Sequence, residues 1–300
     1  MHSVTDLKSS AIFDLHGRVA LVSGGGTGIG LMIAEGLAAN GAKVYIGARR
    51  TEVLDKVAGK WAAHGKGTIL PLYLDVTNRD SIIAAKNIIE DKEGKLHILV
   101  NNAGIVGPVS QFLNDPLAPE NANAEALGSA LFNDGGPDAW SALYEVNTFS
   151  IYYMTTAFLG LLEKGSRDIE GYTSSVVNIT SVSGIVKIAQ RHFAYNSAKA
   201  AATHLTKMLA TEIALKGIPV RINSIAPGVY ASEMTADSIT GPEEVAKVSE
   251  SLIPVPAGRA GSAGEIAGTV IYLSSPAGCY TNGQEIVVDG GYIAVNPSTA

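Results

Sequence analysis

Short apolar segments alternate with longer amphipathic segments from residue 18 to residue 290 of this 300-residue chain. The short segments show no alternation of polar and apolar residues, which indicates strands buried on both faces of a parallel sheet. Right-handed crossovers then predict an α/β fold, a doubly wound parallel sheet of about seven strands with helices on both faces. The predicted strands are residues 18–22, 43–47, 70–74, 97–100, 175–179, 220–225 and 285–289. The predicted helices are residues 29–39, one capped by Thr51, one opened by Thr77 and Asp80 as a capping pair, then 137–162, 193–215 and 264–273.

Two segments interrupt this alternation of predicted strands and helices. Residues 105–136 are rich in Gly, Pro, Asn and Asp and are predicted to form a long loop, and residues 229–258 form a second irregular segment with three prolines. Both follow strands, at the sheet edge where doubly wound folds bind ligands, and long loops there are often lids or binding loops. We expect a single domain over residues 1–300, with a core at 17–292, a loop insertion at 105–136 and a substrate loop at 229–258.

Composition excludes several classes of protein. The formal net charge is -6, and no basic patch of the kind that binds nucleic acid is visible. No apolar run reaches the roughly 18 residues of a membrane span. A single cysteine, Cys279, allows no intrachain disulfide and fits a reducing compartment. The first residues show no signal pattern, so we expect a cytoplasmic protein, although the sequence leaves an organelle open. No cluster of His, Cys, Asp or Glu has the spacing of metal ligands, so we expect no metal.

A glycine-rich turn, residues 23–30 (SGGGTGIG), joins the first predicted strand to the first predicted helix. Glycines allow a tight turn and the close approach of a pyrophosphate, while the helix N-terminus offers free N–H groups. The position after a strand, in the first βαβ unit, is the context that distinguishes a dinucleotide-binding turn from a plain glycine turn. We therefore predict a Rossmann-like, dinucleotide-binding fold.

The second predicted strand ends in Gly47-Ala48-Arg49-Arg50, without a carboxylate. An acidic residue at this place would bond the ribose 2′-hydroxyl and select NAD. Arginine can instead pair with a 2′-phosphate. We predict NADP(H) as the cofactor; the alternative is that Arg49 and Arg50 are merely solvated residues leading into a helix.

Further motifs follow in a characteristic order. Residues 101–104 read Asn-Asn-Ala-Gly, residues 178–181 read Asn-Ile-Thr-Ser, and Tyr195 and Lys199 form a Tyr-x-x-x-Lys motif. Pro227-Gly228 is followed by Ser232 and Met234. Together with the glycine turn these motifs resemble the short-chain dehydrogenase/reductase family over about residues 17–292, with Ser23 in place of the family threonine. Ser181 lies 14 residues before Tyr195, slightly more than usual, which makes Ser183 a rival for the serine role.

The chemistry of the site depends first on Tyr195 and Lys199, which lie four residues apart and share one helix face. A phenol has an unperturbed pKa of about 10. A neighbouring ammonium group should lower the pKa of Tyr195 towards neutral pH and make it a general acid/base. The resemblance implies that Lys199 also bonds the nicotinamide ribose, that Ser181 holds the substrate oxygen and that Asn147 positions a water molecule. The expected catalytic residues are Asn147, Ser181, Tyr195 and Lys199.

The resemblance also implies a set of cofactor contacts. Asp75-Val76 would contact the adenine, Asn102 to Gly104 would line the cleft, and Val229 with Ser232 would bond the carboxamide. The expected cofactor-binding residues are Ser23, Gly24, Gly26, Thr27, Gly28, Ile29, Gly30, Arg49, Arg50, Asp75, Val76, Asn102, Ala103, Gly104, Tyr195, Lys199, Pro227, Gly228, Val229 and Ser232.

These residues predict an NADP(H)-dependent oxidoreductase that reduces a carbonyl group to a secondary alcohol, or catalyses the reverse, with Tyr195 as proton donor. Apolar residues in the predicted loops, among them Val106, Phe112 and Ile185, suggest a hydrophobic carbonyl substrate. Two alternatives stay open: a non-redox reaction such as isomerisation, dehydration or cyclisation, and a regulator that binds a dinucleotide without turnover. The resemblance further implies a homodimer or homotetramer that pairs the helices carrying Asn147 and Tyr195.

Overall fold

The computed structural model describes residues 7–64, 67–231, 242–249 and 252–299. Within these residues, seven strands form one sheet in the order β3-β2-β1-β4-β5-β6-β7, and every neighbouring pair is parallel. The predicted doubly wound parallel sheet is confirmed. The strands are β1 (Val19–Ser23), β2 (Lys43–Ala48), β3 (Thr68–Tyr73), β4 (Ile98–Asn101), β5 (Ser174–Ile179), β6 (Val220–Pro227) and β7 (Glu285–Val288).

The helices differ from the predicted ones mainly at their ends. The helix predicted at 193–215 has the same bounds in the structure, and those predicted at 29–39 and 264–273 shift by one residue at one or both ends. The predicted capping by Thr51 is wrong, because Arg50 is the N-cap and Thr51 is the first residue of its helix. The described helices are α1 (Ser9–Ile12), α2 (Gly28–Ala39), α3 (Thr51–Trp61), α4 (Arg79–Glu93), α5 (Ala124–Asn133), α6 (Pro137–Tyr144), α7 (Ser150–Asp168), α8 (Phe193–Leu215), α9 (Pro242–Ser249), α10 (Ala263–Ser274) and α11 (Tyr292–Val295).

Alternate residues of β1 enter two separate apolar layers. Leu21 packs in one layer with buried residues of α4, α7 and α8. Ala20 and Val22 pack in the other with buried residues of α2, α3 and α10. A strand with period-two side chains that is apolar on both sides needs a helical cover on each face. The unbroken apolar run of β1 is therefore explained by its place at the centre of a sandwich of helices.

Several predicted elements need correction. The capping pair Thr77 and Asp80 is wrong: Asn78 caps α4, its side chain accepting a hydrogen bond from the N–H of Ser81 at 3.0 Å. Thr77 instead donates to Asp75, because its side chain lies outside the helix. The strand predicted at 70–74 lies at residues 68–73 as β3, and it accommodates Pro71 because β3 is an edge strand.

The two irregular segments contain helices that were not predicted. Within residues 105–136, α5 begins after Asn123, whose side chain accepts a hydrogen bond from the N–H of Ala126 at 3.0 Å. The sequence contains a signal for α5, an N-cap residue followed by ten residues rich in Ala and Leu. The glycine and proline residues on both sides concealed this pattern. The described part of 229–258 includes α9, while residues 232–241 and 250–251 lie outside the described residues.

The long helix predicted at 137–162 is interrupted. It consists of α6, a π-helical turn over Glu145–Phe149, and α7, which continues to Asp168. One extra residue in a helical turn rotates the residues that follow, and such turns are frequent at functional sites. The predicted catalytic Asn147 lies in the middle of this turn.

No helix within the described ranges combines the length and the apolar character that crossing a membrane requires.

His97, just before β4, has no exposed surface, and its Nδ1 accepts a hydrogen bond from the N–H of Val19 at 3.0 Å. Burial and the nearby charge of Arg18 lower the pKa of His97 to about 4, against the opposing effect of Asp168. The unfolded chain therefore binds a proton at a higher pH than the folded chain does. The stability this group contributes is present above about pH 6.5 and is lost as pH falls towards 4, by about 3 kcal/mol.

We expect His97→Gln to flatten the acid side of the stability profile. Urea unfolding measures the free energy of unfolding at pH 7 and at pH 4. The decrease between these two pH values should be about 3 kcal/mol smaller in this variant than in the wild type. The exposed His204 provides the matched variant, His204→Gln, which should retain the wild-type slope. Equal acid slopes in the wild type and in His97→Gln would contradict this assignment.

Candidate active site

A cleft of about 550 Å³ opens beyond the carboxyl ends of β1 to β6. It includes the point between β1 and β4 where the strand order reverses, the usual ligand site of a doubly wound sheet. Ser23, Gly26, Asn147 and Val229 do not line it, and Ser232 lies outside the described residues. The predicted site residues that do line it are Gly24, Thr27, Gly28, Ile29, Gly30, Arg49, Arg50, Asp75, Val76, Asn102, Ala103, Gly104, Ser181, Tyr195, Lys199, Pro227 and Gly228.

The glycine turn leaves space that side chains would fill. Gly24 and Gly28 have φ values of +66° and +52°, which favour glycine. A Cβ on Gly30 would lie 2.2 Å from the carbonyl oxygen of Gly24, so only glycine fits there. The turn leads directly into α2, whose first N–H groups have no partner within the helix. A glycine cradle at a helix N-terminus on the cleft wall fits the pyrophosphate of a dinucleotide.

Ser23 and Gly26 support the turn from behind. The Ser23 hydroxyl accepts hydrogen bonds from the N–H groups of Asn102 at 3.0 Å and Ala103 at 3.2 Å. A Cβ on Gly26 would lie 3.1 Å from the side chain of Leu54. These two residues therefore tie the turn to the end of β4 and to α3 and are not exposed to the cleft.

Arg49 and Arg50 are exposed on the cleft wall at the end of β2. Asp75, after β3, lines the same wall. Burial by itself would raise the pKa of Asp75, but hydrogen bonds from Thr77 and the charge of Arg49 lower it overall. The carboxylate is thus ionised beside the arginines, and this corner holds more positive than negative charge.

Tyr195 and Lys199 project from α8 into the cleft, with the Lys199 Nζ 5.7 Å from the centre of the Tyr195 ring. Nζ donates a hydrogen bond to the carbonyl oxygen of Ile179 at 2.9 Å. Lys199 is 4% exposed, and burial lowers its pKa to about 8. Its ammonium group lies above the phenol ring and is held by the end of β5.

The predicted lowering of the Tyr195 pKa by Lys199 does not occur in this arrangement. Burial raises the pKa of Tyr195, and a hydrogen bond with Ser181 opposes that rise. The spacing correctly predicted a common helix face, but it could not show how deeply the phenol is desolvated. At neutral pH the phenol is therefore protonated.

The two serines that follow β5 face different surroundings. Ser181 lines the cleft, and its Oγ accepts a hydrogen bond from the N–H of Ser183 at 3.1 Å. The Ser183 hydroxyl donates to Gln190 Oε1 at 3.0 Å and is not part of the cleft lining. The geometry favours Ser181 over Ser183 for contact with a substrate.

Asn147 is 1% exposed and is engaged on both sides of its amide. Its Nδ2 donates to the carbonyl oxygen of Ile105 at 2.8 Å, and its Oδ1 accepts from the N–H of Ile105 at 2.9 Å. A Cβ on Gly104 would lie 3.3 Å from Asn147 Oδ1 and 3.8 Å from Lys199 Nζ. Asn147 therefore lies behind the cleft, separated from Lys199 by the narrow space above Gly104.

Sequence reasoning identified two further lining residues and missed others. Val106 and Tyr230 were expected among the apolar residues of the loops around the substrate, and both line the cleft. Tyr230 is 2% exposed and packs so closely on Gly261 that a Cβ there would lie 2.2 Å from the ring. Val229 and Tyr230 also line a smaller cavity of about 110 Å³. The missed residues are Gly47, Ala48, Leu74, Thr77, Ile105, Val146, Ile179 and Thr180.

No group of three or more His, Cys, Asp or Glu side chains in the described part of the chain comes together as a metal site would require.

The fold and the cleft define a class of protein: oxidoreductases that bind a nicotinamide dinucleotide where a doubly wound sheet reverses its order. Residues 24–293 match the family described as enoyl-(acyl carrier protein) reductase. The chain is also 38% identical, over 296 residues, to the short-chain dehydrogenase/reductase PhomF of Diaporthe leptostromiformis, covering 98% of this chain and 97% of that protein. The chain belongs to the short-chain dehydrogenase/reductase family.

Two solved structures resemble the chain over nearly its whole length. The RhlG/NADP active-site complex of Pseudomonas aeruginosa is 32% identical, with a TM-score of 0.77 and coverage of 94% of this chain and 98% of that chain. A 7α-hydroxysteroid dehydrogenase complexed with NADH and 7-oxo-glycochenodeoxycholic acid is 28% identical, with a TM-score of 0.74 and coverage of 95% and 98%. These relatives carry different nicotinamide dinucleotides, so the choice between them depends on the residues around the ribose 2′ position.

Proposed function

We propose that this protein is an NADP(H)-dependent oxidoreductase that reduces a ketone or similar carbonyl compound to a secondary alcohol, or catalyses the reverse reaction. The observation that carries this proposal is the convergence of Ser181, Tyr195 and Lys199 on the cleft that also holds the glycine turn. When bound, the reduced nicotinamide supplies the hydride that forms the new C–H bond. The protein supplies orientation and the proton.

As the π electrons of the substrate C=O bond move onto the carbonyl oxygen, that oxygen takes the proton of the Tyr195 hydroxyl. Tyr195 is left as a phenolate. Burial keeps the pKa of Tyr195 raised, so the acid form required for reduction prevails at neutral pH. Ser181, hydrogen-bonded to Tyr195, holds the same oxygen. Lys199, with a pKa of about 8, is largely protonated at pH 7 and bonds the ribose. The role proposed for Asn147 is to position a water molecule that relays protons to Lys199. That role requires the second proton of its Nδ2 or the second lone pair of its Oδ1, because Ile105 already engages one of each.

The preference for NADP(H) is proposed from Arg49 and Arg50. Both line the cleft at the end of β2, and no carboxylate ends that strand. A guanidinium group can form bidentate, charge-assisted hydrogen bonds with a 2′-phosphate. Asp75 on the same wall neutralises only part of this charge. The RhlG/NADP complex shows that a relative of this fold takes the phosphorylated dinucleotide.

We expect Arg49→Ala to raise the KM for NADPH by about tenfold or more while leaving the KM for NADH nearly unchanged, since one charge-assisted bond to the phosphate is lost. Initial rates with both cofactors provide the measurement. The matched control is Arg79→Ala, an exposed arginine on α4 outside the cleft lining. Equal or better efficiency of the wild type with NADH would refute the proposed preference.

A hydrophobic carbonyl compound is the proposed substrate. The cleft carries Ile105, Val106, Val146 and Tyr230 beside the polar triad of Ser181, Tyr195 and Lys199. A relative binds an oxo-steroid, which is a large carbonyl compound. Loss of NADPH absorbance with ketones of graded size tests the reaction. Product formation without NADPH consumption would favour a non-redox reaction, and NADPH binding without turnover of any ketone would favour a regulator.

Assembly and location are proposals as well. Phe149 is exposed at the end of the turn that holds Asn147, and Tyr152 and Tyr153 are exposed in the first turn of α7. Large exposed aromatic side chains grouped on one helix are typical of an interface. We propose a cytoplasmic homodimer or homotetramer in which each chain is one domain, with 105–136 as an insertion and 229–258 as the substrate loop. Light scattering on the purified protein measures the assembly.

A further inference from the structure

A chain of hydrogen bonds connects the proposed catalytic serine to the C-terminal segment. Ser181 Oγ accepts from the N–H of Ser183 at 3.1 Å, and the Ser183 hydroxyl donates to Gln190 Oε1 at 3.0 Å. Gln190 Nε2 in turn donates to the Tyr292 hydroxyl at 2.8 Å. We call the side chains of Ser183, Gln190 and Tyr292 the Gln190 clasp. It joins the loop that follows β5 to α11.

The clasp holds a strained piece of backbone. Gln190 and Arg191 have φ values of 51° and 62°, so two consecutive residues other than glycine adopt the left-handed conformation. Such residues persist only where their surroundings hold them. The Arg191 carbonyl oxygen accepts from the N–H of Ser110 at 2.9 Å, and Asn196 Nδ2 donates to the Ala189 carbonyl oxygen at 3.1 Å. Since α8 begins two residues after Arg191, this strained pair sets the direction in which the helix carrying Tyr195 begins.

The C-terminal segment, residues 292–299, is itself bound to both sides of this region. The N–H of Lys187 donates to the carbonyl oxygen of Pro297 at 2.8 Å, and the N–H of Thr299 donates to that of Ile185 at 2.9 Å. Asn296 accepts from the N–H of Ile253 at 3.0 Å and donates to its carbonyl oxygen at 2.9 Å. The segment therefore connects the loop after Ser181 with the end of the proposed substrate loop.

Tyr292 is a rigid anchor for the clasp. It is 1% exposed and packs in an apolar cluster with Val182, Val245 and Val255. The N–H groups of Gly291 and Ile293, its two neighbours, are each held at 2.8 Å by the side chain of one aspartate, Asp289. A hydroxyl in such a place can fix the amide of Gln190 more firmly than solvent would.

We propose that Gln190, held by Tyr292, is a positioning residue that sets Ser181 and Tyr195 at their working distance. This inference rests on the proposed function of those two residues. Ser183, Gln190 and Tyr292 do not line the cleft, so the clasp acts through Ser181 and the start of α8. Loss of the clasp therefore slows the chemical step and leaves the cofactor site unchanged.

The test compares Gln190→Ala, Tyr292→Phe and the double variant. Each single variant should lower kcat by about tenfold, since small misplacements of reacting groups are costly, while the Kd for NADPH stays at the wild-type value. The double variant should be no slower than the worse single variant, because both changes break one chain of bonds. The matched control is Tyr172→Phe, which removes another buried tyrosine hydroxyl that donates to the Ser274 carbonyl oxygen at 3.1 Å, at the amino end of the sheet.

Unchanged kcat in both single variants would overturn the proposal, as would an equal loss of kcat in Tyr172→Phe. A second readout does not depend on turnover: amide hydrogen exchange of residues 182–192 should accelerate in Tyr292→Phe and not in Tyr172→Phe. If the wild type reduces no carbonyl compound, the proposed function fails, and hydrogen exchange alone decides the clasp. Equal exchange in the two variants would then reject it.

Discussion

Tyr195→Phe should lower the rate of carbonyl reduction by about 10²- to 10⁴-fold, because it removes the proposed proton donor and keeps the ring. The phenol hydroxyl is hydrogen-bonded to Ser181 and lies on the cleft wall, while the glycine turn and Arg49 are separate elements. The Kd for NADPH, measured by fluorescence titration, should therefore stay near the wild-type value. Steady-state rates with the best ketone of the panel give kcat.

The matched control for this variant is Tyr144→Phe. The Tyr144 hydroxyl donates to Ser197 Oγ at 3.0 Å on the same helix α8, and Tyr144 is not part of the cleft lining. The Tyr144→Phe substitution removes the hydroxyl of a neighbouring tyrosine with similar packing, so turnover should change little. Retained turnover in Tyr195→Phe, or a comparable loss in Tyr144→Phe, would remove Tyr195 from its proposed role.

The sheet was predictable because its strands are marked by local runs of apolar residues in the sequence. β1 and β4 are unbroken apolar runs, and a strand covered by helices on both faces requires such a run. The boundaries of α8 were equally clear, since one amphipathic pattern spans the whole helix. In contrast, α5 has no buried residue, so no apolar stripe marks it, and the π-helical turn at Asn147 depends on packing that a helical periodicity does not reveal.

The site shows a similar division between local and distant information. Glycines at 24 and 30 and the pair Tyr195 and Lys199 follow from short motifs, and the structure brings all four to one cleft. The pKa shifts did not follow from the motif, because burial raises the pKa of Tyr195 and lowers that of Lys199. That burial depends on distant parts of the chain, such as the carbonyl of Ile179 on β5 that Lys199 bonds, twenty residues away. The contact of Gln190 with Tyr292 spans 102 residues and has no signal in the sequence.

Lys199 combines a proposed catalytic role with a cost to stability. Burial lowers the pKa of Lys199 from its ordinary 10.5 to about 8. A lysine whose folded pKa is depressed contributes its full stability only above the unfolded pKa, and that stability is lost as pH falls towards the folded value. The wild type should therefore be destabilised by about 3 kcal/mol at pH 8 relative to pH 10.5 by this one group.

Lys199→Met should therefore lower kcat by about 100-fold or more, and its stability relative to the wild type should be greatest at low pH. Guanidinium unfolding should show this relative stability decreasing by about 3 kcal/mol as pH rises from 8 to 10.5, because the variant has no ammonium group to bury. Lys207→Met, which changes an exposed lysine of α8, should follow the wild type in both activity and pH profile. A constant stability difference across this range would show that the ammonium group is solvated in the folded protein, while retained turnover would show that the reaction proceeds without it.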